Sequence, residues 1–240
     1  MGNAMDQNEG QARPPLKRYE DIAKMIDHSL LRPELTVAQV MEGCQVAHRY
    51  HVASVCVRPC DVELAARELE GSDVLVGSVV GFPHGAMTTA AKLFETRQMI
   101  EQGAREVDMV LNIGRLLSGD SAYVETEIRN VAALCHANGA ILKVIFENAY
   151  LTDEVKIAAC GISKRAKADF VKTSTGFAPG GATIPDLRLM YKHASPECRV
   201  KAAGGVRTLD AAIEVYEAGC SRFGATATIS ILEDWKQRLA

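Results

Sequence analysis

Short, continuous apolar runs recur along the chain and alternate with segments whose apolar residues are three or four positions apart. Runs such as residues 52–57 and 74–80 are typical of parallel strands that are covered on both faces. The segment after Thr36 has the helical spacing, and the Thr36 side chain is a suitable N-cap for it. The pattern predicts a chain built from repeated strand–helix units.

The sequence accommodates eight such units after a short N-terminal helix at 18–24. The predicted strands lie at 25–30, 52–57, 74–80, 105–114, 141–146, 168–172, 199–203 and 221–227. Because right-handed crossovers repeated eight times close a sheet on itself, we expect an α/β fold with a single (β/α)8 TIM barrel. The barrel should occupy residues 17–240, and the polar, turn-rich residues 1–16 are expected to form a flexible leader.

Three lysines interrupt predicted strands, namely Lys143, Lys172 and Lys201, at intervals of 29 residues. This interval matches one strand–helix unit, which predicts three lysines at the same height on neighbouring strands, pointing into the barrel. Although a single lysine at a strand end more often extends to water, three in register favour a site. Burial and mutual repulsion disfavour the ammonium form and are expected to lower the pKa. A partly neutral Lys172, with its pKa lowered by the charge of Lys201, could form a Schiff base with an aldehyde or ketone.

An aspartate, Asp108, interrupts the apolar residues of the fourth predicted strand. A buried carboxylate is normally paired, and the next strand carries Lys143, so we expect an ion pair between these neighbouring strands. The pair is a candidate proton shuttle. Asp27 falls at the end of the first strand and is assigned to the substrate site.

Glycines and hydroxyl groups follow the last three predicted strands. In barrel enzymes the loops after strands seven and eight commonly bind phosphate, at helix N-termini whose free N–H groups suit an anion. A glycine pair alone is more often a tight turn, but its place after the seventh strand favours a phosphate cradle. The candidate residues are Thr175, Gly176, Gly204, Gly205, Gly224 and Thr226.

Composition and charge narrow the range of partners. A formal net charge of −3 gives no basic surface of the kind that nucleic-acid binding needs. No apolar run approaches the roughly 20 residues that cross a bilayer, and residues 1–18 lack the apolar core of a signal peptide. We therefore expect a cytoplasmic protein with a small-molecule sugar phosphate as its partner, and neither nucleic acid nor membrane. Barrels of this kind often associate through outer helices, so a homo-oligomer, with a dimer favoured, is also expected.

The cysteines and histidines do not form a metal-binding pattern. Seven scattered cysteines indicate reduced thiols, and the close pair Cys56 and Cys60 lacks the second pair that would complete a zinc site. The six histidines are also dispersed. We expect no metal or other cofactor, since a covalent lysine imine would supply the chemistry.

Four motifs resemble the signatures of the deoxyribose-phosphate aldolase family. They lie at residues 26–31, 106–112, 170–177 and 200–207, and the similarity extends in order from about residue 20 to the end. The resemblance implies a class I aldolase that reversibly cleaves 2-deoxy-D-ribose 5-phosphate to D-glyceraldehyde 3-phosphate and acetaldehyde, without a metal. It also implies Lys172 as the Schiff-base residue, with Lys201 and Asp108 as its partners. Cys56 matches a position where some relatives keep a cysteine near the substrate, although a buried small apolar residue is the alternative.

The chain departs from that family after the eighth strand. Members usually carry two serines after the glycine of this strand, whereas this chain has Thr226 and Ala227 there. Thr226 keeps one hydroxyl group, but Ala227 cannot replace the second. The departure affects the predicted phosphate site and leaves the lysine motifs intact.

Three alternatives to the deoxyribose-phosphate activity stay open. The first is a Schiff-base aldolase of the same family that acts on a different aldehyde or ketose, possibly without a phosphate. The second is a barrel isomerase or epimerase whose lysines bind phosphate without forming an imine. The third is a barrel that binds a sugar phosphate and catalyses nothing.

Overall fold

Eight parallel strands pair in sequence order and close into a barrel in the computed structural model, which describes residues 13–240. The strands are β1 (Ile26–Leu30), β2 (Ser54–Val57), β3 (Leu75–Val80), β4 (Glu106–Val110), β5 (Ile141–Ile145), β6 (Phe170–Lys172), β7 (Arg199–Ala202) and β8 (Cys220–Ala225). β8 pairs with β1 and so completes the ring. The predicted (β/α)8 barrel is confirmed.

Helices lie between successive strands and cover the outside of the sheet. They are α1 (Tyr19–Ala23), α2 (Val37–Arg49), α3 (Val62–Glu68), α4 (Thr89–Glu101), α5 (Ile113–Leu117), α6 (Ser121–Ala137), α7 (Asp153–Arg165), α8 (Ile184–Ala194), α9 (Leu209–Glu217) and α10 (Thr228–Leu239). The short helix α1 precedes β1, as predicted. None of the helices in residues 13–240 is both long enough and apolar enough to cross a membrane.

Threonine side chains fix the start of several outer helices. The hydroxyl of Thr36 accepts the N–H of Gln39 at 3.3 Å, and Thr88, Thr183 and Thr208 cap α4, α8 and α9 in the same way. Such a cap satisfies an N–H group that has no partner within its own helix. The caps therefore determine where the loops at the carboxyl ends of the strands become helix.

The sequence pattern did not predict the short helix α5. The apolar run that begins in β4 continues to Ile113 and predicts a single strand, but the chain turns at Asn112. The Asn112 side chain accepts the N–H of Arg115 at 3.1 Å and so caps α5. A local side-chain hydrogen bond therefore ended a strand that hydrophobicity alone would have continued.

Part of the predicted leader is held against the barrel. The Arg13 guanidinium donates to the carbonyl oxygens of Tyr216 at 2.7 Å and Cys220 at 2.5 Å, and it stacks 4.0 Å from the centre of the Tyr216 ring. The Tyr216 hydroxyl donates to the carbonyl of Pro14 at 2.8 Å. Residues 13–16 thus contact α9 and β8 directly. The prediction of flexibility for residues 1–12 lies outside the described part of the chain.

The core has two regions of opposite character. Apolar side chains such as Val107, Leu142, Val144 and Val200 are completely buried between the sheet and the helices. The inside of the barrel, by contrast, carries charged side chains from several strands. Since barrel interiors are usually filled by branched apolar residues, this charged interior needs internal pairing to be stable.

A buried ion pair also lies outside the barrel, between α4 and α6. The Lys92 ammonium donates to the Glu127 carboxylate and to the carbonyl of Val110, each at 2.8 Å, and neither side chain of the pair is exposed. The Asn112 N–H donates to the same Glu127 oxygen at 3.2 Å. Burial lowers the pKa of Lys92 and raises that of Glu127, with each partner partly offsetting the effect on the other. The pair joins two helices to the end of β4.

We expect Lys92→Met to destabilise the fold by about 3–5 kcal/mol, because it leaves the Glu127 carboxylate buried without its cation. The free energy of unfolding in denaturant measures this. The double variant Lys92→Met/Glu127→Leu should recover most of the loss, since an apolar pair replaces the ion pair.

The exposed pair of Lys236 and Glu233, 2.8 Å apart, provides the matched control. Lys236→Met should change the free energy of unfolding by about 0–1 kcal/mol. If Lys92→Met costs no more than this control, the buried pair does not contribute as argued.

Candidate active site

A cavity of about 590 Å³ opens at the carboxyl ends of the strands. It is bordered by the loops that follow β1, β6, β7 and β8. All predicted site residues except Asp108 and Lys143 line it, namely Asp27, Cys56, Lys172, Thr175, Gly176, Lys201, Gly204, Gly205, Gly224 and Thr226. The structure therefore brings together residues that the sequence distributes over 200 positions.

The three lysines are not all at the same height. Lys172 is in register with Lys201, as predicted. Lys143 is in register with Asp108 on one side and with Phe170 on the other, so it lies two residues below Lys172. The prediction of equal height is wrong for Lys143, because the register between neighbouring strands in a barrel is staggered and even spacing along the chain does not give even height.

The Asp108 carboxylate is the common partner of the three lysines. One of its oxygens, Oδ2, accepts from Lys172 Nζ and Lys201 Nζ, both at 2.7 Å, and the other, Oδ1, accepts from Lys143 Nζ at 2.9 Å. The Lys172 side chain is 4% exposed, and the Asp108 side chain is completely buried. The predicted ion pair between Asp108 and Lys143 is confirmed, and it is part of a larger cluster.

Two further carboxylates, Asp27 and Glu106, belong to the charged cluster. Asp27 is ion-paired with Lys201, accepts from the Ser54 hydroxyl at 2.8 Å and lies 3.3 Å from Lys143 Nζ. Glu106 accepts from Lys143 at 2.5 Å. Asp27 also lines the cavity, a position compatible with its predicted place in the substrate site.

An arginine completes the cluster at the bottom. The Arg222 guanidinium, on β8, donates to Glu106 at 2.6 Å and is ion-paired with Asp27. Sequence reasoning missed Glu106 and Arg222, because charged residues near the ends of predicted strands are usually solvated. The available signal was the period of two, which places Glu106 on the same face of β4 as Asp108.

The cluster separates the pKa values of the three lysines. Burial lowers the pKa of Lys172 and the charge of Lys201 lowers it further, against the opposing effect of Asp108. Burial also disfavours the charged forms of Lys201 and Lys143, but Asp108 and Asp27 outweigh it and raise both pKa values. The predicted depression is correct for Lys172 and wrong for the other two. Of these three lysines, Lys172 loses its proton most easily.

The lysine charges also determine the state of Asp108. Burial opposes ionisation of this carboxyl, but Lys143, Lys172 and Lys201 outweigh burial and hold its pKa well below the usual range. Asp108 is therefore a permanent carboxylate near pH 7. It can hold and orient ammonium groups throughout a reaction.

Main-chain groups dominate the rim of the cavity near β7 and β8. Gly204 and Gly205 have φ angles of +80° and +97°, a region that favours glycine. Gly181 packs so closely on Gly204 that an added Cβ would lie 2.8 Å from the Gly204 carbonyl oxygen. The N-cap position of α10 is Ala227, which has no side-chain group to cap the helix. The exposed Arg207 lines the same cavity and was not among the predicted site residues.

The turn after β6 is held by a buried glutamate that sequence reasoning also missed. The Thr175 hydroxyl donates to the Glu147 carboxylate, and the Thr175 N–H lies 3.3 Å from both Glu147 oxygens. The Thr175 oxygen in turn accepts the N–H of Phe177 at 3.0 Å. Glu147 has a left-handed backbone with φ of +58°, and it orients a hydroxyl group on the cavity wall. No pattern in the sequence signals this.

Cys56 lies in the cavity wall but is almost completely buried, next to Leu31 and Val79. Burial raises the pKa of its thiol to about 11, so the thiol stays protonated near pH 7. Within residues 13–240, no group of three histidine, cysteine or acidic side chains is arranged to hold a metal ion.

Comparison with known proteins agrees with this geometry. A profile of the DeoC/LacD family aldolases matches residues 3–234. A protein named deoxyribose-phosphate aldolase from Caldanaerobacter subterraneus subsp. tengcongensis is 50% identical over 227 residues, which cover 93% of this chain and 98% of that protein. A protein of the same name from Bacillus cytotoxicus is 51% identical over 212 residues, covering 88% of this chain and 95% of that protein. The tetrameric deoxyribose phosphate aldolase from Aeropyrum pernix matches with a TM-score of 0.86 at 31% identity, covering 93% of this chain and 94% of that one.

The family profile spans nearly the whole chain, and relatives at about 50% identity match over almost their full length. The resemblance seen in the sequence motifs is therefore confirmed. This chain belongs to the DeoC/LacD family of aldolases and is an enzyme of the carbon–carbon lyase class.

Proposed function

We propose that this chain is a class I aldolase that reversibly cleaves 2-deoxy-D-ribose 5-phosphate to D-glyceraldehyde 3-phosphate and acetaldehyde through a Schiff base at Lys172. The observation that carries the proposal is a single buried lysine of lowered pKa at the base of the cavity, beside a lysine and an aspartate that stay charged. The names of the relatives support the choice of substrate.

Imine formation begins at the amine that deprotonates most easily. The neutral Lys172 Nζ adds to the aldehyde carbon C1 of the open-chain sugar, and the carbinolamine loses water to give a protonated imine. Lys201 Nζ and Lys172 Nζ each lie 2.7 Å from the same oxygen of Asp108, Oδ2. The Lys201 ammonium is the proposed general acid that donates the proton needed for water to leave.

Cleavage uses the imine as an electron sink. Lys201, left neutral by its donation to water, accepts the proton of the C3 hydroxyl; the C2–C3 bond breaks, and its electron pair forms the C1=C2 bond of an enamine. C3 becomes the aldehyde carbon of D-glyceraldehyde 3-phosphate. The Lys201 ammonium then donates the proton to C2 of the enamine, and water hydrolyses the resulting imine, which releases acetaldehyde and regenerates Lys172 with Lys201 protonated.

Asp108 and Lys143 act around the reacting atoms in this scheme. Asp108 holds Lys172 and Lys201 at fixed positions, so the proton donor and the nucleophile do not need to reorganise during the reaction. Lys143 lies below them and does not line the cavity, so we assign its effect to Asp108, whose ionised form it stabilises. The proton shuttle that the sequence assigns to Asp108 and Lys143 stays a prediction; it would require a transient proton on Asp108, against the lysine charges that hold its pKa low.

The phosphate end of the substrate is assigned to the β7 and β8 side of the cavity. Gly204 and Gly205 expose main-chain groups there, α10 begins there, and Arg207 adds a positive charge. Helix N-termini and main-chain N–H groups suit a phosphate. Gly224 and Thr226 complete the proposed cradle.

One observation favours a second candidate function. The N-cap position of α10 is Ala227, and it makes no side-chain hydrogen bond. A weaker phosphate site would suit a Schiff-base aldolase of the same family that acts on a different, possibly non-phosphorylated, sugar or aldehyde. The two candidates share the lysine chemistry and differ only at this end of the cavity.

We expect borohydride to trap a reduced adduct on Lys172 in the presence of 2-deoxyribose 5-phosphate, located by peptide mass mapping. Lys172→Ala should abolish the adduct and lower turnover by at least about 10³-fold, since the nucleophile is lost. Lys167, exposed on the chain after α7, provides a control, and Lys167→Ala should leave both readouts unchanged.

An unmodified Lys172 in folded, active protein would instead favour an isomerase or epimerase that forms no imine. Binding of the sugar phosphate without any turnover would favour the non-catalytic barrel.

The phosphate assignment predicts a larger kcat/KM for 2-deoxyribose 5-phosphate than for 2-deoxyribose. Ala227→Ser should lower KM for the phosphorylated sugar by about 2–10-fold, because it restores one hydroxyl donor at the start of α10. The same substitution should not affect turnover of 2-deoxyribose, which is the internal control. A preference for the unphosphorylated sugar would select the second candidate function.

The imine mechanism requires no metal ion as electron sink. Dialysis against EDTA is therefore expected to leave kcat unchanged, measured at saturating substrate. Loss of activity that Zn²⁺ restores would contradict this part of the proposal.

The homo-oligomer expected from the sequence, with a dimer favoured, also remains a prediction. The relative from Aeropyrum pernix is described as tetrameric. Light scattering coupled to gel filtration would give the mass of this protein in solution.

A further inference from the structure

The inside of the barrel contains one more cation than carboxylates. The cations are Lys143, Lys172, Lys201 and Arg222, and the carboxylates are Asp27, Glu106 and Asp108. These seven side chains form one connected network of ion pairs. If every group is ionised, the network carries a single excess positive charge.

Arg222 is the member that creates the excess. Its guanidinium bridges Asp27 and Glu106, with a 2.6 Å hydrogen bond to Glu106, and these two carboxylates are also partners of Lys143 and Lys201. A guanidinium stays protonated at all accessible pH values. Its charge therefore offsets carboxylate charge that would otherwise balance the lysines.

The three lysines differ in how many carboxylates they contact. Lys143 contacts all three, at distances of 2.5, 2.9 and 3.3 Å. Lys201 contacts Asp27 and Asp108, and Lys172 contacts Asp108 alone, at 2.7 Å. When the network loses one proton, removing that proton from Lys172 breaks the fewest ion pairs.

We propose that Arg222 is a positioning residue that sets the net charge inside the barrel. Because it is the fourth cation beside three carboxylates, the network readily loses one proton. Lys172 is the amine that gives up this proton and becomes the nucleophile. This inference deepens the proposed function and rests on it. It assigns to a side chain remote from the cavity a role in activating the reactive lysine.

The charge count includes the groups that face Lys172 from each of the other strands. The charged or titratable groups that face the interior are Asp27 from β1, Cys56 from β2, Glu106 and Asp108 from β4, Lys143 from β5, Lys201 from β7 and Arg222 from β8. β3 contributes the apolar Val79, in register with Asp108. Cys56 is protonated near pH 7, so it does not alter the charge count.

The test changes the excess charge in both directions. Arg222→Gln removes the excess and should make Lys172 keep its proton to higher pH, by about one pH unit. Glu106→Gln enlarges the excess and should shift the titration of Lys172 by a similar amount to lower pH. The double variant Arg222→Gln/Glu106→Gln again has an excess of one and should return close to the titration of the unmodified protein.

The readout is the pH dependence of the reaction of Lys172 with 2,4-pentanedione. The neutral amine adds to one carbonyl carbon of this diketone, water leaves, and an enaminone that absorbs in the near ultraviolet forms. The rate of its formation reports the fraction of neutral Lys172. Peptide mapping confirms the labelled residue. The acid limb of kcat/KM for 2-deoxyribose 5-phosphate should shift in the same direction as the labelling.

Arg199 provides the matched control. It stacks 4.0 Å from the centre of the Phe170 ring, which Arg222 approaches to 6.0 Å, yet it takes part in none of the ion pairs of the network. It is exposed to solvent, so Arg199→Gln should leave the titration of Lys172 within a few tenths of a pH unit. Arg222→Lys keeps the charge and should also preserve the titration.

A structural role alone would reduce labelling at every pH in both single variants, without opposite shifts and without recovery in the double variant. That result, or shifts in the same direction, would overturn the inference. If Arg222→Gln does not fold, Glu106→Gln and the double variant still test it. If the unmodified protein labels elsewhere than on Lys172, the Schiff-base proposal fails instead, so the two failures are distinguishable.

Discussion

One carboxylate shared by three ammonium groups is the constraint on which the interior of this barrel depends. Burying an ion costs several kcal/mol unless its partners are well placed. Asp108 meets this requirement for three lysines with both of its oxygens, at distances of 2.7 to 2.9 Å. A barrel interior filled with apolar side chains would be easier to stabilise. The charged interior is tolerated because each ion is paired with an opposite charge from another strand.

The register of the strands separates Lys143 from the other two lysines of this cluster. If Lys143 were level with Lys172 and Lys201, the three amines would share similar surroundings. The register instead places Lys143 lower, among Glu106, Asp108 and Asp27. Its pKa rises for that reason, whereas that of Lys172 falls. Chemically identical side chains thus acquire different pKa values from the carboxylates that each one contacts.

The sequence predicted some members of the charged cluster and missed others. Lys172, Lys201 and Asp108 were identified because each interrupts an apolar run, and such an interruption requires a specific partner. Glu106 and Arg222 lie near strand ends, where a charged residue usually contacts water. Only the closed barrel shows that these ends face one another across the interior.

Loop positions were predictable to a smaller extent. Thr36 caps its helix as expected, since a cap depends on residues close in sequence. The hydrogen bond between Glu147 and Thr175 joins loops 28 residues apart and depends on a left-handed backbone at Glu147. Contacts of this kind arise from tertiary structure, and no local pattern encodes them.

The groups proposed to react and the groups proposed to bind the phosphate lie on different kinds of structure. The lysines and Asp108 are on strands, whose positions are fixed by hydrogen bonds on both sides of each strand. The proposed phosphate cradle consists of main-chain groups and short side chains in the turns after β7 and β8. A change such as alanine at position 227 alters one helix start and no ion pair of the interior. The fold therefore allows the proposed phosphate cradle to change without disturbing the ion pairs around Lys172.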